Sequence, residues 1–194
     1  MKIGLACNSW NQKEGLERLL KSCSDFDRRI VIDGRYYQRS DGPKFSGYEL
    51  ICDKTDSELY YLADCPEYVK RDSYLRIAED LDVIIILDDD EVILKWDRKE
   101  FEESLEARKK PDSFAYNIEF WENDQKYEVP RVIVNPSQCY YKNKHNMIWH
   151  DNLEIFGRLI GPKINGIVAK HDKSFRESFR ESYNRQYRQS HAFE

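Results

Sequence analysis

The run Val83 to Glu91, VIIILDDDE, constrains this chain more than any other stretch. Its first five residues are branched and apolar, which marks a strand buried on both faces, as at the centre of a parallel sheet. Three aspartates and a glutamate follow at once. If the extended conformation persists, Asp88 and Asp90 project together and Asp89 points away. Two carboxylates held this close repel each other unless a cation or protons intervene. Their natural guest is a hard divalent ion, Mg2+ or Mn2+. Ligands of open α/β sheets bind just beyond the carboxyl ends of the strands, where these aspartates fall. An acidic loop that caps a helix or is simply solvated is the competing explanation.

At 194 residues the chain is long enough for one domain with a proper core. Hydrophobic residues make up 40% and charged residues 35%, which describes a soluble, charge-rich protein. Abundant Lys, Glu and Arg also suit a heat-adapted one. The net charge of −5 gives no general attraction to nucleic acid or anionic membranes. No apolar stretch approaches the length of a bilayer span, and Met1-Lys2 leads into a strand rather than a signal peptide. The expected location is therefore cytoplasmic. Cys7, Cys23, Cys52, Cys65 and Cys139 lack the close spacing of a zinc site or redox pair, so free thiols are expected. A Cys52–Cys65 disulfide is the alternative in an oxidising compartment or a thermophile.

The order of elements is a doubly wound α/β pattern. Lys2–Asn8 reads as a buried strand, and Gln12–Cys23 as a helix with Leu16, Leu19 and Leu20 on one face. Arg29–Ile32 is a second strand ending at Asp33. Residues 35–48 look like a long loop, and Tyr48–Cys52 like a short third strand. Tyr68–Leu81 is an amphipathic helix that delivers the chain into the acidic strand. A further helix covers Arg98–Lys109, ended by Pro111. Ser113–Trp121, Tyr127–Asn135 and Gln138–Tyr141 alternate and carry Pro and Asn, as antiparallel or edge strands do. From Asp172 to Ser190 a four-residue rhythm sets Phe175, Phe179, Tyr183 and Tyr187 in a drifting stripe beside Arg176, Arg180 and Arg188. Such a helix packs on the domain or rests on a membrane or partner surface.

These stations resemble the glycosyltransferases of the GT-A fold, closest to family 2. The family's first strand and helix look like KIGLACNSWNQKEGLERLLKSC. Its second strand, ending in an acidic residue, looks like IVIDGRY. The helix that usually begins with an Arg-Asn pair looks like KRDSYLRIAEDLDVIIILDDDEVI, with Arg71-Asp72 at that place and Asp88-Asp89-Asp90 as the Asp-any-Asp motif. The compact length and the tail also resemble small GT-A proteins of archaeal viruses, which would place the protein in host cytoplasm. The resemblance implies one α/β domain over residues 1–194, Rossmann-like, with a mostly parallel central sheet flanked by helices. Residues 1–95 would bind the donor, 96–171 form the acceptor half and 172–194 a helical tail.

It also implies transfer of a sugar from a nucleotide-diphosphate donor, such as a UDP- or GDP-sugar, to a hydroxyl of a glycan, protein or lipid, with inversion. Asp90 would contact Mn2+ or Mg2+ directly, while Asp88 takes the ribose or shares the metal through water. Asp33 and Arg71 would contact the nucleotide, with Asn8 and Trp10 shaping its pocket. Several GT-A enzymes use a late histidine as a further metal ligand, a role that falls to His171. The acceptor's proton needs a base. In NMIWHDNLE the resemblance assigns it to Asp151, although the family often has a Glu-Asp pair where this chain has His150-Asp151. His150 as the base, or as an orienter of Asp151, stays open. Two other functions compete. A nucleotidyltransferase also sets aspartates on such a sheet, but NSWNQKEG lacks a Gly-rich phosphate cradle. A non-catalytic carbohydrate-binding or assembly protein would have no reason to keep three repelling carboxylates. A nucleic-acid module has only the Arg-rich tail in its favour.

Overall fold

Apolar runs of the first half become neighbouring strands of one sheet. The structure, a computed structural model, describes residues 1–36, 42–108, 113–142, 147–150 and 160–171. In chain order its elements are β1 (Ile3–Ser9), α1 (Lys13–Ser22), β2 (Arg28–Asp33), α2 (Glu49–Lys54), β3 (Glu58–Tyr61), α3 (Glu67–Ile77), β4 (Val83–Ile86), β5 (Glu91–Trp96), α4 (Arg98–Arg108), β6 (Ala115–Glu122), β7 (Gln125–Val134), β8 (Cys139–Lys142), β9 (Met147–His150) and β10 (Ile160–His171). The eight-stranded sheet runs β3-β2-β1-β4-β7-β6-β10-β5, and β8 and β9 form a separate antiparallel ribbon.

β1 is buried along its length and lies between β2 and β4, parallel to both. β3 continues the parallel set at one edge. Beyond β4 the strand β7 runs antiparallel, β6 returns, and β10 lies parallel to β6. The sheet is thus mostly parallel, with β7 and β5 reversed. Burial on both faces explains why β1 and β4 read as continuous apolar runs rather than alternating ones. Helix α1 buries Leu16, Leu19 and Leu20, α3 buries Tyr74 and Leu75, and α4 buries Phe101 and Leu105.

Two expectations change. Tyr48–Cys52 is not a strand: Glu49–Lys54 is a helix, with Tyr48 and Cys52 buried four residues apart while Leu50 is exposed. That spacing is helical, and the acidic start and basic end suit the dipole. The third strand is instead Glu58–Tyr61. Second, the extended chain of β4 does not persist through the aspartates. Glu91 N–H donates to the Asp88 carbonyl at 2.9 Å, closing a turn that sends β5 to the far edge beside β10. Residues 1–95 and 96–171 therefore contribute strands to one sheet. His171 ends a long strand that begins at Ile160. All five cysteines are free thiols. Asp151 and the tail 172–194 lie outside the described residues. Among the described residues no helix is long and apolar enough to cross a membrane.

Candidate functional site

The acidic turn leaves the carboxyl end of β4, and a close approach of α1 holds it from below. A Cβ on Gly15 would stand 2.2 Å from the Asp89 carbonyl oxygen, so only glycine lets the helix meet the turn there. Asp89 is buried at 4% exposure. Its Oδ2 lies 2.8 Å from Ser9 Oγ, which lies 2.8 Å from Tyr48 Oη, and Gln12 N–H donates to that same Oη at 2.8 Å. Each hydroxyl carries one proton, so the order that satisfies all three is Tyr48 to Ser9 to Asp89. Asp89 is thereby committed to the end of β1, away from its two neighbours.

Asp88 lies between two guanidinium groups. Arg71 Nη2 from α3 is 3.5 Å from its Oδ1, and Arg131 Nη2 from β7 is 3.5 Å from its Oδ2. Arg71 is also held by Glu67, one helical turn earlier, at 2.8 Å. Arg131 pairs with Glu91. The Glu91 carboxylate accepts the Asp88 backbone N–H at 2.9 Å through Oε2, so this one side chain braces the turn and anchors Arg131. Burial and the nearby Asp88 push the Glu91 carboxyl up, against the pull of Arg131.

Asp90 is buried at 5% exposure, and its Oδ2 meets His171 Nε2. His171 Nδ1 is 3.2 Å from Glu122 Oε1. The hydrogen bond to Asp90 is the main cause of a raised His171 pKa, with Glu122 adding to it and burial opposing. Asp90 and His171 are 81 positions apart in sequence and meet because β10 lies beside the start of β5, with His171 opposite Glu91.

The remaining nucleotide-side candidates sit on neighbouring strand ends. The Asn8 amide is buried, and neither its nitrogen nor its oxygen has a hydrogen-bond partner among the described residues. Asn8 lies two residues beyond Ala6, the last residue of β1 paired with β4, and is itself paired with Ile32 of β2. Asp33 has 0% exposure beneath the 42–48 segment. Its Oδ2 accepts Ser46 N–H at 2.7 Å, while Oδ1 has no partner among the described residues. Burial pushes the Asp33 carboxyl up, opposed by the Ser46 bonds. Trp10 Nε1 donates to the Pro43 carbonyl at 2.9 Å, and Gly42, at a φ of +93°, lies against its ring. Lys70, also at 0% exposure, donates to the Gly34 carbonyl and stands 4.1 Å from the Tyr36 ring centroid.

The sequence candidates Asn8, Arg71, Asp88, Asp90 and His171 therefore gather around one turn, with Asp33 and Trp10 under the adjoining 42–48 segment. Ser9, Tyr48, Glu91, Glu122, Arg131 and Lys70 were not foreseen. Only Pro130, a residue that interrupts strand pairing, hinted at the irregularity carrying Arg131. A divalent ion fits the donor set offered by Asp90 and His171, a carboxylate and an imidazole suited to Mn2+. Among the described residues no three His, Cys, Asp or Glu side chains converge as a complete metal cage. Ions bound with substrate phosphates need only one or two protein ligands, the rest coming from phosphate oxygens and water.

No protein-family model matches the chain, and no curated protein matches it in sequence. Among solved structures it is similar to TarS 1-349 from S. aureus, with a TM-score of 0.57 and 13% identity over 87% of this chain and 60% of that one. A longer S. aureus TarS structure gives 0.49 and 16%, over 66% of this chain and 23% of that one. Glucosyl-3-phosphoglycerate synthase from Mycobacterium tuberculosis, in complex with Mn2+, uridine diphosphate and glucosyl-3-phosphoglycerate, gives 0.43 and 11%, over 61% and 44%. The chain spans less than two thirds of the length of each of these. At such identities the likeness shows the fold alone. With the sheet order above, the fold is GT-A-like.

Proposed function

We propose that this protein is a glycosyltransferase that moves a sugar from a nucleotide-diphosphate donor, a UDP- or GDP-sugar, to a hydroxyl of a glycan, protein or lipid acceptor, with inversion. The meeting of Asp90 and His171 beyond the carboxyl end of β4 carries this reading. It sets an oxygen and a nitrogen ligand where open α/β sheets bind their ligands. Bound there, Mn2+ or Mg2+ supplies the positive charge that stabilises a leaving diphosphate. Asp90 and His171 would hold the ion. Asp88, between Arg71 and Arg131, would take the ribose or share the ion through water. The Asn8 amide, unpartnered among the described residues, offers both a donor and an acceptor to the nucleotide, and the Asp33 Oδ1, likewise unpartnered among them, a further acceptor. Trp10 lies over the same end of the sheet.

Asp151 would accept the proton of the attacking hydroxyl. It directly follows β9, whose partner β8 is tied to α3 where Tyr141 N–H donates to Asp72 at 3.1 Å. Its carboxylate would thus come from the acceptor half. The nucleotidyltransferase alternative needs a glycine-lined phosphate cradle. The one glycine of the first loop and helix start, Gly15, is used instead against the Asp89 carbonyl. We take residues 1–194 as one domain, with 172–194 as a helical tail that packs its aromatic stripe on the domain, a membrane or partner contact being the alternative.

Product analysis tests this reading. Nucleoside diphosphate should accumulate from a UDP- or GDP-sugar when an acceptor is supplied, and Asp151→Asn should abolish transfer while sparing donor binding. Pyrophosphate release from a nucleoside triphosphate and a sugar phosphate would favour the nucleotidyltransferase instead. Normal turnover by Asp151→Asn would remove that residue from the reaction.

A further inference from the structure

His171 is held from both sides, and its second partner has no role in the site described so far. Glu122 ends β6, where Asn123 and Asp124 take φ values of 48° and 61° and turn the chain back into β7 with Glu122 opposite Gln125. Positive φ at both central residues is what a two-residue hairpin of type I′ requires, and Asn and Asp tolerate it. The turn fixes Glu122 at the tip of β6. In the neighbouring pair Lys170 stands beside Trp121, so the next residues along, His171 and Glu122, are lateral neighbours. Glu122 Oε1 lies 3.2 Å from Nδ1, and the Phe120 ring lies against the imidazole with centroids 6.5 Å apart.

We propose that Glu122 is a positioning residue: it holds the proton of His171 on Nδ1 and fixes the ring, so that Nε2 is the nitrogen offered beside Asp90 to the divalent ion. This rests on the metal-dependent reading above. An imidazole whose other nitrogen is bound to a carboxylate is fixed in tautomer and in rotation, and such outer partners tune metal affinity. Glu122 is built for that task. Its carboxylate meets Nδ1 while Asp90 meets Nε2, and its side chain is one third exposed (33%).

The test uses the full chain. Mn2+ is titrated with free Mn2+ followed by electron paramagnetic resonance, in the presence and absence of uridine diphosphate. Glu122→Ala should weaken Mn2+ binding by about 10- to 100-fold, the usual effect of losing such a partner. Glu122→Gln, which keeps a neutral acceptor, should lose less, and His171→Ala serves as the reference for a lost ligand. Long-range 15N–1H spectra of metal-free Asp90→Ala, in which the carboxylate competing at Nε2 is gone, at a pH where the imidazole is neutral, should show Nδ1–H for His171 and a mixture once Glu122→Ala is added. Unchanged Mn2+ affinity in Glu122→Ala alongside a weakened His171→Ala, or an unchanged tautomer, would overturn the assignment to Glu122. A wild type that binds no Mn2+ under either condition would overturn the metal-dependent reading and this proposal with it. The tautomer spectra would still tell whether Glu122 holds the ring.

Discussion

Arg131 is the extra residue of a β-bulge, and the bulge turns its guanidinium onto the buried carboxylate of Glu91. Opposite β6 the pairing passes from Val132–Tyr116 to Pro130–Asn117, leaving Arg131 without a counterpart in the ladder. Bulges re-aim side chains in this way. Breaking a buried ion pair from one side leaves an uncompensated charge and costs about 3 to 5 kcal/mol. Arg131→Met should cost less than that range in urea unfolding at neutral pH, because the Glu91 carboxyl, already pushed up by burial and Asp88, can take up a proton. Adding Glu91→Gln, which keeps the acceptor for Asp88 N–H, should recover part of the loss. Equal stability of the single and double variants would show that the pair does not brace the turn.

Gly15→Ala gives a test with a reversed sign. In an exposed helix interior, alanine is better than glycine by about 1 kcal/mol. Here the new Cβ would meet a backbone carbonyl at 2.2 Å, which nothing but movement of the acidic turn relieves. Overpacking of this kind costs about 1 to 3 kcal/mol. The melting temperature should fall and Mn2+ binding should weaken with it. A stabilised variant would contradict the packing of α1 under Asp89.

The edge strand β3 is tied to β2 by Arg28, which donates to both oxygens of Glu58 at 2.6 and 2.7 Å. Those bonds lower the Glu58 pKa from its ordinary 4.5. A carboxyl with a depressed folded pKa contributes stability that is present above the unfolded pKa and is lost as pH falls through the folded one. Glu58 is partly exposed, so solvent screening limits the contribution to at most about 1 kcal/mol. Glu58→Gln should therefore be less stable than wild type at pH 7, with the gap closing as pH falls below the ordinary 4.5 and through the lowered folded value. A gap independent of pH would point to packing rather than charge.

Asp33 and Trp10 predict a conformational response. With Asp33 at 0% exposure beneath the 42–48 segment, a nucleobase reaches its Oδ1 only if that segment shifts. Trp10 is hydrogen-bonded to Pro43 in that segment. Nucleotide binding should change Trp10 emission, and Trp10→Phe should lose that change while the other tryptophans stay constant. An emission unaffected by saturating nucleotide would place the base elsewhere.

Local pattern carried much of this structure. The alternation and apolar runs marked β1, β2, β4 and the helices α1, α3 and α4, because burial on one face or both leaves its period in the sequence. Tyr48–Cys52 misled because five residues with apolar members at two spacings fit strand and helix alike. The site was legible as far as its acidic pole. Asp88 and Asp90 declared themselves by following a buried strand, and His171 by resemblance. Arg131 and Glu122 left no such trace. Arg131 owes its direction to a bulge, and Glu122 to a hairpin and to β10 lying beside β6, relations between residues 40 or more apart. The divergence of the three aspartates was hidden for the same reason. It depends on Ser9, Arg131 and His171, each from a different strand.

The central claim is that a divalent ion and a nucleoside diphosphate bind together at Asp88 and Asp90. Calorimetric titration of uridine, guanosine and thymidine diphosphates, each with and without Mn2+, tests it most directly, with the Asp88→Asn/Asp90→Asn double variant as control. One nucleotide should bind only with Mn2+, and the double variant should lose that binding while keeping its fold. Failure of the folded wild type to bind any of the three, or equal binding by the variant, would contradict the account.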